Sequence, residues 1–302
     1  MRVCQADQSG LLLETLLRLF SDTKRTRLKQ CLKNGGVLVN GRRVTRFDHP
    51  VRPGDKIAVA SGRQDQAAVI PSWGVRILFE DDFLIAADKP SGLLSIASET
   101  VRERTAIFAV NDYLNRKENL RHPLNPRRGG LQARRRKMIF VVHRLDRGAS
   151  GVLLFAKDVK VKEQLQRDWE TFSKTYLAAV ESCPHPEEGT VTNYLRENKR
   201  LRVETCRPCP EAKKAVTHYR VLKKNKEFSL LEVRLETGRK HQIRVHLSGL
   251  GCPIAGDKDY GSLKNPAGRL ALHASRLEIF HPVSGRRITF KSALPPELEG
   301  LV

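Results

Sequence analysis

Residues 141–158, VVHRLDRGASGVLLFAKD, set an acid at the tip of a loop. Apolar Phe140, Val141 and Val142 lead in, His143-Arg144-Leu145-Asp146 follows, and a Gly and Ser turn returns the chain into the strand-like run 152–155. A carboxylate presented in this way can attack or stabilise an electron-poor carbon, provided it stays ionised in a dry site. The commoner use of a loop Asp is to close a turn, so Asp146 needs partners before it implies chemistry. Residues 236–257, ETGRKHQIRVHLSGLGCPIAGD, offer them. After a break at Thr237-Gly238, the spacing predicts a helix over 240–249, with Ile243, Leu247 and Leu250 facing the core and His241, Arg244 and Ser248 near another face. Arg244 can serve a buried carboxylate there, or simply pair with a surface acid. His241 and His246 lack a neighbouring carboxylate that would complete a metal site, and read as satisfied polar histidines.

The elements that must carry these segments lie between about 75 and 300. Strand-like runs 77–79 and 84–87 flank a turn at Glu80-Asp81-Asp82, and 152–155, 228–233 and 288–290 read as further strands. Residues 160–172 have helical periodicity, and no internal repeat is present. A basic block, 116–137, holds nine Lys and Arg against Glu118 alone, and its Pro126, Gly129 and Gly130 argue against one continuous helix.

Ahead of this lies a second pattern, 9–62, joined by a polar linker at 63–74. Leu12, Leu13, Leu16, Leu17 and Phe20 recur at helical spacing, and Ser21 or Asp22 can cap a second helix with an apolar stripe of Leu28, Cys31 and Leu32. Asn40-Gly41 between apolar runs predicts a hairpin, and Pro53-Gly54-Asp55 another turn. From 21 to 46 eight basic side chains (Lys24, Arg25, Arg27, Lys29, Lys33, Arg42, Arg43 and Arg46) face one acid, Asp22. A solvated helix face would carry opposing charges; their absence here points to an RNA surface.

Charge agrees with that. The 302 residues include 55 Lys and Arg against 33 Asp and Glu, a net +22, and self-repulsion of that size favours a polyanionic partner. No apolar run approaches a bilayer span, and the polar start, with Asp7, does not read as a signal peptide. The expectation is a cytoplasmic protein. Its six cysteines then read as reduced thiols. Cys206-Arg-Pro-Cys209 is a lone CxxC that Cys183 and His185 could complete as a zinc site, but a single CxxC is weak support, and no metal is expected.

The order helix, basic helix, GGVLVNGRRV, VRPGDKI resembles the alpha-L RNA-binding motif shared by a ribosomal protein and many RNA enzymes. HRLDRGASG resembles the signature of the RluA-type pseudouridine synthases, and GRKHQIRVH their second block. DKPSGLLS (88–95), KTYLAAV (174–180), AVTHYRVL (215–222), GCPIAGDKDYG and LALHASRLEIFHPVSG follow in the family's order, so the resemblance covers nearly all of 75–295. Two departures stand out. Ala149 replaces the usual Thr near the nucleophile loop, and the 116–137 insertion is longer than in the simplest members.

The resemblance implies an α+β fold, with a mixed, mostly antiparallel sheet in the catalytic domain and a small N-terminal α/β RNA-binding domain. It implies Asp146 as nucleophile, Arg244 as its ion-pair partner and Tyr176 as the ring beside the uracil, positioned to help remove the proton from carbon 5. The reaction breaks the bond from ribose to the uracil nitrogen, turns the base and rejoins ribose to carbon 5. Nothing is oxidised or transferred away, so no cofactor is required. Attack by Asp146 on ribose and attack on uracil carbon 6 both lie within this chemistry. The target must leave its stack, at a cost of a few kcal/mol, and Arg144 resembles the residue that fills the vacated space. His143, Arg147 and Arg239 are the other motif residues expected on RNA, together with Lys24, Arg25, Arg27, Lys29, Arg42 and Arg43. Ribosomal RNA is the first expectation for substrate and transfer RNA the second, with the protein acting as a monomer. A catalytically dead RNA-binding scaffold would have lost Asp146, Tyr176 or Arg244, and all three are present. A hydrolase would need a second carboxylate such as Asp257 or Asp259, yet GDKDYG reads better as a family loop.

Overall fold

The computed structural model describes residues 2–21, 23, 25–33, 37–59, 68–70, 72–98, 100–121 and 138–302. The chain divides into two compact units, Met1–Gln66 and Ala67–Val302. In the first, strands Arg2–Gln5, Lys56–Val59, Val37–Val39 and Arg42–Val44 form a four-stranded antiparallel sheet in that order. Helices Leu12–Leu19 and Arg25–Lys33 accompany it, and Leu12, Leu16, Phe20, Leu28 and Leu32 bury with Val37, Val39 and Ile57 in one core. Asn40 and Gly41 both have positive φ (50° and 80°), the backbone twist that a two-residue hairpin turn demands. The Asn40 amide then donates to Asp55 at 2.8 Å and accepts from the Lys56 N–H at 2.9 Å, which locks the hairpin to the Pro-Gly-Asp turn. The all-antiparallel sheet makes this unit α+β in arrangement. It also begins earlier than residue 9, because Arg2–Gln5 pairs with Lys56–Val59.

The second unit is built on a 12-stranded sheet. From one edge run Val203–Cys206, Glu188–Glu197, Lys213–Lys224, Phe228–Leu235, Ser173–Glu181, Leu272–Phe280, Ser150–Ala156, Leu84–Lys89, Val75–Glu80 and Ala68–Ile70. Phe140–Val141 and Arg287–Lys291 pair alongside. Every pairing is antiparallel except Ser150–Ala156 with Leu272–Phe280. Gly151 makes that parallel contact possible: its φ is +110°, and a Cβ would lie 2.2 Å from the Ala274 carbonyl oxygen. All seven residues of Ser150–Ala156 are buried, as expected for the centre of a sheet covered on both faces.

Two sequence expectations change, and a third is met only at its edge. The linker proposed at 63–74 contains an edge strand, Ala68–Ile70, paired with Val75–Glu80. The helix expected over 240–249 begins at Gln242, and Leu250, expected in the core, is its exposed C-cap. The first residues of the basic block, Arg116 to Arg121, continue the helix Ala106–Arg121; its remainder, 122–137, lies outside the described residues. No described helix is long and apolar enough to cross a membrane.

Candidate active site

Asp146 sits on an irregular loop, 142–149, whose backbone groups are taken up by a second loop, 89–95. The Ser95 hydroxyl donates to the Leu145 carbonyl at 2.8 Å and accepts the Leu145 N–H at 3.0 Å. Ser91 donates to the Gly148 carbonyl (2.6 Å), while the Gly92 N–H (2.8 Å) and the Lys89 ammonium (3.3 Å) donate to that of Arg147. Loop 89–95 is held in turn by the first N–H groups of helix Ala106–Arg121, which donate to Leu94 and Ser95. Lys89 is fully buried and also donates to the Pro90 and Leu93 carbonyls. Burial lowers its ammonium to about 7, Arg269 adding to the effect and Asp146 opposing it. Beneath the loop, Arg269 donates to the Ser150 hydroxyl at 2.7 Å, so Ser150 donates to His273 Nδ1 (2.9 Å) and His273 Nε2 carries its hydrogen toward the Ser292 carbonyl.

The carboxylate itself is open. The Asp146 side chain makes no hydrogen bond to the described residues; its neighbours are Arg244 Nη1 at 3.6 Å and His241 Nε2 at 3.8 Å. Arg244 is the expected cation, yet its main commitment lies elsewhere. Its Nε and Nη2 grip both oxygens of Asp257 at 2.7 Å, Nη2 also reaches Asp259 at 2.9 Å, and the guanidinium stacks 4.7 Å from the Tyr260 ring centre. The GDKDYG loop therefore fixes the arginine that faces Asp146. His241, at φ 52°, is held in the left-handed region as the helix N-cap. Its Nδ1 bonds the Tyr260 hydroxyl at 2.9 Å, and burial lowers its pKa against the pull of Asp146.

Tyr176 lies on the central strand Ser173–Glu181 and lines the same cavity of about 640 Å³ as Asp146, Arg244 and His241. Burial, then the charge of Asp146, push its phenol well above the ordinary range. Of the residues expected on RNA, Arg144 and Arg147 are exposed and line this cavity with His143 and Arg239. The His143 ring stacks on Trp169 (4.4 Å between centres, 24° between planes), and its Nε2 accepts the Leu154 N–H at 3.1 Å. Burial takes His143 down to about 3, so it remains neutral and braces the loop. Arg239 bonds Glu170 and the Lys214 carbonyl, both at 3.2 Å. Arg25, Lys29 and Arg42 are exposed in the N-terminal unit. Arg27 and Arg43 stand in helix Arg25–Lys33 and strand Arg42–Val44, their side chains outside the described residues, as is Lys24 altogether.

The sequence singled out none of Ser91, Ser95, Lys89, Trp169 and Tyr260, and it offered Asp257 and Asp259 only as hydrolase carboxylates; all but Trp169 fall inside the motifs quoted above. Ala149, in place of the family's Thr, is 1% exposed and packs in the main core while its N–H closes a turn to Asp146. Among the described residues no three His, Cys, Asp or Glu are grouped as a metal would need. Cys206 and Cys209 neighbour one another as free thiols.

An acid on a braced loop, beside a cation and an aromatic ring in one cavity on a mixed sheet, agrees with the comparisons. The RNA pseudouridylate synthase family model matches residues 83–249. The ribosomal large subunit pseudouridine synthase D of Xanthomonas campestris pv. campestris is 33% identical over 95% of this chain and 86% of its own length. That of Nitrosomonas europaea is 34% identical over 97% and 84%. In structure, human RNA pseudouridylate synthase domain containing 4 aligns with a TM-score of 0.56 and 26% identity over 74% of this chain and 90% of the other. The chain belongs to the RNA pseudouridylate synthase family, and is an isomerase of uridine in RNA.

Proposed function

We propose that this enzyme forms pseudouridine in ribosomal RNA of the large subunit, in the cytoplasm, with Asp146 as its nucleophile. The observation that carries the reading is the Asp146 carboxylate, free of hydrogen bonds to the described residues within a cavity that also holds Tyr176 and Arg244. Apo contacts of 3.6–3.8 Å are of the kind that shorten when substrate displaces water. Asp146 forms a bond to ribose carbon 1′ or uracil carbon 6, the glycosidic bond to N1 breaks, the base turns, carbon 5 bonds to ribose and loses its proton, and the bond to Asp146 breaks to return the free carboxylate. N1 gains a proton, so product and substrate are isomers. Arg244 sets a cation 3.6 Å from the carboxylate, and Tyr176 lies beside the base. Burial and the charge of Asp146 displace its phenol upward, so Tyr176 rests beside the base as a neutral ring. Arg144 occupies the space left by the extruded uridine. Arg25, Arg27, Lys29, Arg42, Arg43 and Lys24 contact phosphates, which position RNA without reading its bases.

Large-subunit ribosomal RNA is favoured by the relatives of that name and by the basic N-terminal unit. Pseudouridine mapping of total RNA, with and without this gene, tests it. Loss of signal at large-subunit positions is expected, whereas loss confined to transfer RNA would reassign the substrate.

A further inference from the structure

The active cavity is longer than the Asp146 end alone. It also takes in Trp169, Lys174, Gly238 and Arg239. Lys174 and Tyr176 are two residues apart on one strand and share a face, so this second region lies about 6–7 Å along the strand from Tyr176, the scale of one nucleotide step.

Trp169 is built in rigidly. His143 stacks on its ring, Phe172 meets it edge-on at 6.0 Å, and the Lys174 ammonium lies 5.9 Å from its centre while donating to the Trp169 carbonyl at 3.0 Å. Its indole N–H, however, has no partner among the described residues and is not sealed from solvent. Gly238 faces that edge: a Cβ there would sit 3.4 Å from the indole nitrogen. The Gly238 backbone is outside the left-handed region, so conformation alone does not call for glycine. Its missing side chain keeps the indole N–H open. Arg239 uses Nε and Nη2 on Lys214 and Glu170, which leaves Nη1 uncommitted. The Lys174 protons go to the Trp169, Glu170 and Glu236 carbonyls, so its charge is near but its donors are taken; the open indole donor and the spare guanidinium nitrogen are what suit a singly charged oxyanion.

We propose that Trp169, Gly238 and Arg239 form a second subsite that holds the phosphodiester of a nucleotide adjacent to the target uridine, with the indole N–H as donor. This rests on the reading that uridine in RNA is the substrate. It adds a specificity requirement: the strand must turn so that a neighbouring phosphate enters the cavity with the base, which a continuous duplex does not do.

The test is a binding cycle on an RNA hairpin from large-subunit ribosomal RNA, with single methylphosphonates placed in turn at each loop phosphate. Trp169→Phe deletes the N–H but keeps an aromatic ring against His143; Gly238→Ala covers the N–H without touching Trp169. For wild type, one position next to the target should weaken binding about tenfold, as expected for a charged hydrogen bond. Both variants should bind the unmodified hairpin less tightly and lose clearly less than wild type at that one position, where Arg239 still holds the phosphate, while remaining as sensitive as wild type elsewhere. Variants that bind as wild type does would overturn the proposal. So would losses that add at every position, since those report a general disturbance. Conversion of the hairpin by wild type is scored in parallel. If no uridine is converted, the functional reading fails by itself, and the cycle is still read on whichever hairpin binds.

Discussion

Asp257 gives both carboxylate oxygens to Arg244 at 2.7 Å and is 1% exposed, whereas the Asp146 side chain, 3.6 Å from another nitrogen of the same guanidinium, is 27% exposed and hydrogen-bonded to none of the described residues. The backbone of Asp257 is held as well, by Ile254, Tyr260 and Ser262, so the difference lies in the side chains. Around Asp146, loop 89–95 fixes the backbone at Leu145, Arg147 and Gly148 and leaves the side chain alone. A structural carboxylate has its lone pairs satisfied by donors. A reactive one needs its backbone fixed and its lone pairs kept for the substrate, with just enough positive charge nearby to remain ionised.

Removing the shared cation breaks both halves of this contrast and should cost most. Arg244→Met strands two carboxylates, and loss of one partner from a buried pair costs about 3–5 kcal/mol. Single-turnover rates on a converted RNA should fall by about 10²–10³-fold or more, with RNA affinity changed much less. A variant as fast as wild type would dissolve the pairing. Asp257→Asn tests the structural half. An amide presents an N–H where Arg244 requires an acceptor, so the guanidinium should shift and the rate fall by about 10²-fold. If Asp257→Asn left the rate intact while Arg244→Met abolished it, Arg244 would not depend on that grip.

Ser95→Ala probes the backbone clamp. Leu145 would lose a donor and an acceptor together, and kcat should drop about tenfold with KM nearly unchanged. A rise in KM at constant kcat would place Ser95 in RNA binding instead. The smallest effect concerns stability. His143 and His246 are taken by burial to about 3 and about 4, below their unfolded value of 6.5. The unfolded chain therefore binds more protons below pH 6.5, and stability should fall as the pH is lowered from there toward 3. Melting points should drop by several degrees, on the order of 2–4 °C per kcal/mol, between pH 7.5 and 5. His246→Gln should make that slope shallower; an unchanged slope would show that His246 does not contribute.

What was legible in the sequence follows the same division. Asp146 stood out because an acid between an apolar lead-in and a Gly and Ser turn is a local pattern, and the Asn40-Gly41 hairpin was visible for the same reason. Ser95 and Leu145 are 50 residues apart, and Arg244 and Asp257 are 13 apart across a helix end, so no periodicity links them. The edge strand Ala68–Ile70 was hidden by its polar flanks, since pairing with Val75–Glu80 and burial of Ile70 in the main core order it from a distance. Leu250 misled because helical spacing carries no information about where the helix stops.

The central claim is that one carboxylate, left uncommitted, performs the chemistry. Asp146→Asn is nearly isosteric and disturbs no hydrogen bond to the described residues, so fold and RNA binding should survive. The direct measurement is pseudouridine formed in a single turnover by purified Asp146→Asn at saturating RNA, alongside its Kd and melting point. The account predicts wild-type affinity, wild-type melting and no detectable pseudouridine. Substantial conversion by this variant would contradict it.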